Sequence, residues 1–508
     1  MKTKKILFFL FIPLFFCCKN NGNKDDLPHA TDSIQTQWTG TTPFPFDMPS
    51  VETLRSSSKK TYAHFMSAPG FLLSIDNMEP VRDYFTTVYM SRTGQYAATG
   101  GYQRIRPLPR PPRPESNWRD IDLDEWVRSA IAIGLDGFAI DLLGTSSQNA
   151  NVTRLLLQTA HRVDPGFKIL LIPDMAVFGT SEDNLNTLAP FIKELANYPA
   201  ALRTDDGKLI ICPYAGNLIQ PQGKTALQWW TEWINAMSAD GIEIAFMPFL
   251  MGSAAHADRN TFKDISYGMA LWGAHSPWEA ENQLNLPSQM RQYTDLFMMG
   301  VLPYYYRTRT GHYDEAANSD LYRIAWRNAI EGGADWVQII TWNDYTESAM
   351  APSTGQQYTF YDLTAYYNVW FKTGVQPTIT KDALYYFYRR HDTRTVPSVQ
   401  TPTILLTPEN PPKNEIELLA FLTQPGTLEI QIGTTRERKD VPAGINSFKI
   451  PLRTGTPIFR LYRNGEKVIT LPGVFEIVRS IRYQDLQYYG GSNTRVQEPH
   501  YELLYDMN

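Results

Sequence analysis

The chain has 508 residues with a formal net charge of −5 and a pI of about 6.0. That length supports two or more hydrophobic cores, and the absence of a basic stripe excludes nucleic acid as a partner. Aromatic residues make up 13%, with 28 Tyr and 12 Trp, a richness that suits pyranose faces as well as a large core. The three cysteines leave only Cys212 outside the amino-terminal pair, so the body of the protein has no intrachain disulfide.

The first elements are a charged start (Lys2, Lys4, Lys5) and an apolar run from Ile6 to Phe16. This has the form of a secretory signal and is too short for a lasting membrane span. The run ends at Cys17-Cys18 and a polar tail through Lys24-Asp25-Asp26, a pattern that resembles a bacterial lipoprotein signal. Residues 1–18 are therefore expected to be the signal. Cys18, preceded by the smaller Cys17, is the expected lipidation site. The mature protein is expected on the outer membrane of a Gram-negative bacterium, in the periplasm or at the surface, held by its lipid. Residues 19–58 are polar and Pro-containing and read as a flexible linker.

Residues 59–395 alternate short apolar runs with amphipathic segments. Strands are predicted at Tyr62–Met66, Phe138–Leu142, Lys168–Asp174, Leu209–Cys212, Ile242–Pro248, Ile265–Leu271, Val301–Tyr305 and Trp336–Thr341. Helices are predicted at 120–133, 152–163, 189–196, 226–236, 287–298 and 319–330, while Arg106–Pro114 is a Pro-rich loop. Eight strands mostly separated by helices make an α/β fold, a TIM (β/α)8 barrel. From Val396 to Lys413 five prolines mark a linker. Residues 403–508 then alternate at period two, with turns at Gln424-Pro425-Gly426 and Arg463-Asn464-Gly465, and read as a small antiparallel β-sandwich. It is either a carbohydrate-binding module or a structural appendage of the barrel.

The stretch that organises the chain is Trp336–Met350. A buried-strand composition gives way to Trp342-Asn343-Asp344-Tyr345-Thr346-Glu347-Ser348. Two carboxylates three residues apart make a poor core and a good polar site at the carboxyl end of a barrel strand. Their Cα atoms span at most about 10 Å, compatible with the ~5–9.5 Å that glycoside hydrolysis needs between carboxyl groups. Ile340–Ser348 resembles the signature of glycoside hydrolase family 71, the fungal α-1,3-glucanases or mutanases, whose members carry Gly where this chain has Thr346. Ala63-His64-Phe65-Met66, Gly134–Ala139, Pro173-Asp174, Val301–Tyr305 and Trp326 resemble further family stretches in the same order. The resemblance covers about residues 60–390. The Pro-rich insertion, Leu302, Tyr304 and Thr346 depart from it.

The resemblance implies hydrolysis of α-1,3-glucan with inversion, Asp344 and Glu347 being the catalytic pair. Glu347 is assigned as acid and Asp344 as base. His64, Asp141, Asp174, Trp272, His275, Tyr304, Trp342, Asn343 and Tyr345 are candidates for substrate binding. Asp136 precedes its strand and belongs to the opposite face. No metal-ligand spacing appears, and no cofactor is expected. The alternatives are a glycosidase on another α-linked polysaccharide, such as a different α-glucan or an α-mannan, and a non-catalytic surface protein that binds glycan.

Overall fold

A computed structural model gives the fold and describes residues 42–67, 85–145, 147–253, 255–406 and 410–496. Cys17 and Cys18 lie outside the described residues. The larger part is a nine-stranded parallel sheet flanked by helices, of TIM-barrel type. Its strands are β1 (Lys60–Met66), β2 (Gly137–Leu142), β3 (Lys168–Pro173), β4 (Leu209–Ile211), β5 (Ile244–Phe246), β6 (Phe249–Leu250), β7 (Met269–Leu271), β8 (Phe297–Val301) and, after a two-stranded hairpin, β11 (Trp336–Ile339). The order is β5-β4-β3-β2-β1-β11-β8-β7-β6. Strands β2 and β3 are apolar and buried almost throughout, as a parallel sheet covered on both faces requires. Gly137 opens β2 because a Cβ there would lie 1.7 Å from the Lys168 carbonyl oxygen.

The long helices are Trp118–Ala132, Ser147–Val163, Leu188–Leu195, Ala226–Ala239, Asp320–Glu331 and Thr359–Thr373. The first five match predicted helices within a few residues at either end. One predicted pair shifts. The expected helix 287–298 is only Leu286–Met290, and the strand expected at Val301–Tyr305 lies at Phe297–Val301. The run Phe297-Met298-Met299-Gly300-Val301 is wholly buried between β7 and β11, so packing overrides the helix propensity of its methionines.

The expected linker 19–58 is corrected from residue 42 onward. Phe44, Phe46 and Leu54 are buried, Val51–Arg55 is a helix capped by Ser50, and Arg55 pairs with Asp164 at 2.8 Å. Two aromatics bracketing Pro45 gave these residues more to bury than their polar neighbours suggest.

A hairpin of β9 (Tyr305–Arg307) and β10 (His312–Asp314) stands over the carboxyl end of the sheet and is joined in parallel by β13 (Leu405–Leu406). Beyond the barrel segment come β12 (Ala383–Tyr388), β14 (Glu415–Leu422), β15 (Gly426–Ile432), β16 (Thr435–Val441), β17 (Gly444–Pro451), β18 (Pro457–Arg463), β19 (Glu466–Pro472) and β20 (Tyr489–Ser492). They form two antiparallel sheets, β17-β14-β12-β20 and β16-β15-β18-β19. Leu384, Tyr386, Leu418, Leu428, Ile430, Phe459 and Leu461 from both sheets share one apolar cluster. Strand β12, placed by the sequence reading inside residues 59–395, is thus a central strand of the second unit. The units interlock through buried polar groups. Glu315 pairs with Arg389 at 3.0 Å, and Glu417 accepts from the Ser319 amide at 3.0 Å. Among the described residues no helix is long and apolar enough to cross a membrane.

Candidate active site

The parallel strands all deliver their carboxyl ends to one face. The β1–β2 register sets Met66 beside Asp141, with His64 one pleat below. Asp174 follows β3, Tyr214 follows β4, Trp272 follows β7, and Asp344 and Glu347 follow β11. Asp136, at the opposite end, accepts from Thr61 N at 2.7 Å and pairs with Lys372 at 2.7 Å.

The loop after β11 is folded tightly by its own polar groups. Thr341 Oγ1 donates to the Ser348 carbonyl at 2.6 Å and accepts from Asp344 N at 2.8 Å. The amides of Glu347 and Ser348 both return to the Asp344 carbonyl, at 3.1 and 2.9 Å. This places the two acids on one turn. Asp344 Oδ1 accepts from the Thr346 amide at 3.0 Å and from its hydroxyl at 2.5 Å. Burial, and then the neighbouring Glu347 charge, raise the Asp344 carboxyl to about 7. Glu347 lies in a different setting. Its Oε1 is ion-paired with Arg307 and sits 3.5 Å from Arg309 Nη2, and the Tyr305 hydroxyl bonds to the same carboxylate. The two acids thus have unlike surroundings: the turn buries Asp344 among neutral donors, while the hairpin brings cations to Glu347.

Beside the pair lies a second acidic group. His64 accepts from Gln338 Nε2 at 2.8 Å through Nδ1, and its Nε2 is 3.8 Å from Asp141 Oδ2. Among the described residues Asp141 Oδ1 has no hydrogen-bond partner. Asp174 accepts from Ala176 N at 2.8 Å, and burial together with the Asp141 charge raises it well above the carboxylate range. Trp272 packs edge-on against His64 at 5.5 Å and Tyr214 at 5.3 Å, giving this acidic group an aromatic wall. His275 stands at the rim, stacked on Tyr305 at 4.6 Å and 3.0 Å from Asp314. Among the described residues no group of three or more His, Cys, Asp or Glu is arranged to hold a metal ion.

Four predicted binding residues are supports instead. Trp342 is fully buried, its ring among Phe138 at 5.0 Å and Trp126 at 6.4 Å. Asn343 holds the end of β1, accepting from Met66 N at 2.8 Å and donating to Met66 O at 3.3 Å. Tyr304 is 2% exposed and its hydroxyl accepts from Ala349 N at 3.0 Å. Tyr345 is buried against Phe85 and donates to the Pro352 carbonyl at 3.4 Å. Sequence reading missed Tyr214, Tyr305, Arg307 and Arg309. Tyr214 and Tyr305 had a signal in their position, a few residues beyond a barrel strand on the face that carries the acids; the two arginines had none.

The chain matches the model of glycosyl hydrolase family 71 over residues 114–499. Its relatives include the glucan endo-1,3-alpha-glucosidase agn1 of Schizosaccharomyces pombe, 25% identical over 401 residues that cover 74% of this chain and 90% of that one. An ascus wall endo-1,3-alpha-glucanase of the same yeast is 23% identical, covering 70% and 88%. The mutanase Pc12g07500 of Penicillium rubens is 22% identical, covering 74% and 86%. Among solved structures, the GH99 endo-alpha-mannosidase of Bacteroides thetaiotaomicron overlaps 62% of this chain and 97% of its own, with 16% identity and a TM-score of 0.43. With the family match extending over most of its length, from the first long helix to the last strand, the chain belongs to glycosyl hydrolase family 71 and is a glycoside hydrolase.

Proposed function

We propose that the protein hydrolyses α-1,3-glucan with inversion, Asp344 protonating the leaving oxygen and Glu347 activating water. The observation that carries this reading is the unequal environment of two acids on one turn. Asp344 is buried and keeps its proton to about pH 7, as a general acid requires. Glu347 is ion-paired with Arg307 and is left as the base, the reverse of the order expected from the sequence. An inverting enzyme uses such a pair from opposite sides of the sugar ring, with room for water on the base side. The linkage is supported by the relatives, two of them named as endo-1,3-alpha-glucanases or glucosidases and one as a mutanase. We further read the parallel sheet as a complete (β/α)8 barrel, since its two edge strands β5 and β6 are separated in sequence only by Met247-Pro248, and the shared apolar cluster of the two antiparallel sheets as the core of a sandwich.

The test is a panel of soluble and insoluble polysaccharides, with the anomer of the first product followed by NMR. The expected result is release from α-1,3-glucan of β-configured ends, and a loss of about 10²–10⁴-fold in turnover for Asp344→Asn and for Glu347→Gln. Product of the α configuration, release only from another polymer, or near-full activity in either variant would overturn it.

A further inference from the structure

Arg309 lies on the turn between β9 and β10, and 39% of its side chain is exposed. An arginine so placed ordinarily samples many rotamers. This one is held. Its guanidinium lies 5.1 Å above the Tyr102 ring and donates through Nη1 to the Tyr102 hydroxyl, while Nη2 reaches to 3.5 Å from Glu347. Tyr102 is itself fixed. It stacks on Tyr89 at 5.1 Å and packs against Tyr96 at 4.8 Å, and its carbonyl accepts from the Thr308 hydroxyl. The backbone just before it is held by buried Arg104, which donates to the carbonyls of Thr99 at 2.7 Å, Gly100 at 2.9 Å and Gln484 at 2.8 Å. Residues 85–106 precede the first long helix and belong to none of the strands that carry the acids, yet they end on a cation beside the catalytic turn.

We propose that Tyr102 is a positioning residue for hydrolysis, holding Arg309 against Glu347 so that the 85–106 segment fixes the charge facing the base. The proposal rests on the reading of Glu347 as base. The other groups around Glu347 come from elsewhere: Asp344 from its own turn, Tyr305 and Arg307 from β9, and Tyr214 from the loop after β4. Behind Tyr305, His275 and His312 each lie 3.0 Å from Asp314. Of these contacts on Glu347, the one from Arg309 runs through Tyr102.

An opposite charge a few ångströms from a carboxylate favours its ionised form. Arg309 lowers the buried Asp344 carboxyl beside Glu347, so removing or freeing it should move the alkaline limb of the kcat/KM profile upward. Tyr102→Ala and Arg309→Gln are each expected to raise that limb by about half a pH unit. Each should also lower kcat about three- to tenfold, with KM changing less than twofold. Tyr102→Phe, which keeps the ring and loses the hydroxyl, should fall between wild type and Tyr102→Ala. The double variant should be no worse than Arg309→Gln, because both changes remove one contact. A purely structural role for Tyr102 would lower thermal stability and activity while leaving the limb in place. An unmoved limb in folded Arg309→Gln, or additive losses in the double variant, overturns the proposal while an inactive Glu347→Gln keeps the base assignment. Near-full activity of Glu347→Gln removes the base assignment and this proposal with it.

Discussion

Asp344 gives up stability where it sits. Its carboxyl is raised to about 7 in the folded protein, against about 3.9 in an unfolded chain. The folded state therefore binds more protons than the unfolded state between those values, and stability falls as pH rises through that window. The penalty is absent below about pH 4 and complete above about pH 7. Asp344→Asn should raise the melting temperature at pH 8, by a stabilisation on the order of a few kcal/mol, and leave it nearly unchanged at pH 4; scanning calorimetry at the two pH values checks this. Thr346 acts in the opposite sense, since its hydroxyl donates to Asp344 at 2.5 Å and favours the charged form. Thr346→Gly, which restores the residue that the family signature carries, should move the alkaline limb of kcat upward by about half to one pH unit, read from a pH–rate profile. The acids were legible in the sequence because two carboxylates directly after an uncharged β-run make a poor core and a good polar site. The arginines were not, because Arg307 and Arg309 in a loop have the composition of any solvated turn. Only the return of the hairpin over the sheet gives them a partner.

Among the elements, the turn after β11 depends on a side chain from its own first residues. Asn343 closes both backbone groups of Met66 and so locks the β1 end to the loop bearing the acids. Asn343→Ala removes the partner of that partly buried amide and carbonyl, a loss of about 1–3 kcal/mol, and lets the acids drift. Denaturant unfolding should show the lost stability, and turnover should fall at least tenfold with little change in KM. Strand–helix alternation was legible wherever a helix showed one apolar face. The helix Thr359–Thr373 was missed because it is buried on nearly every side, so its sequence carries no polar stripe to set a 3.6-residue period. The aromatic residues of the signature were misread for a related reason. Trp342 and Tyr345 look like sugar platforms in sequence, but the tight turn directs them inward against Phe138 and Phe85.

Across the whole molecule the barrel and the paired antiparallel sheets are expected to unfold together. Burial raises Glu315 to about 7, and it lies against Arg389, which is 1% exposed. Arg389→Met takes the cation from this carboxyl, leaving it the Ala317 and Lys413 amides and the Tyr488 hydroxyl, and should cost on the order of a few kcal/mol, with one cooperative transition retained in thermal unfolding. Two separate transitions in the wild type would show the units to be independent. At the amino end, lipid on Cys18 remains our proposal for how the enzyme is held at the envelope. Cys17→Ser/Cys18→Ser should move the protein from the membrane fraction to the soluble one, and persistence in the membrane after a carbonate wash would refute the anchor. The tether in that case is shorter than the polar composition of residues 19–58 implies, because the chain joins the fold at Phe44 and Phe46.

Strand β20 pairs with β12 across about a hundred intervening residues, and the same late segment grips the barrel: Tyr488 O accepts from Gln356 at 3.0 Å and Gly490 N donates to Gly355 O at 2.9 Å. During synthesis these residues leave the ribosome long after the catalytic turn has been made. A chain stopped short of residue 484 therefore carries both acids and the whole parallel sheet, yet lacks the clasp over residues 355–356 and the carbonyl that anchors Arg104. Deleting residues 484–492 is therefore expected to lower activity and to expose the loop at 355–356 to proteases, which limited proteolysis of the shortened chain checks.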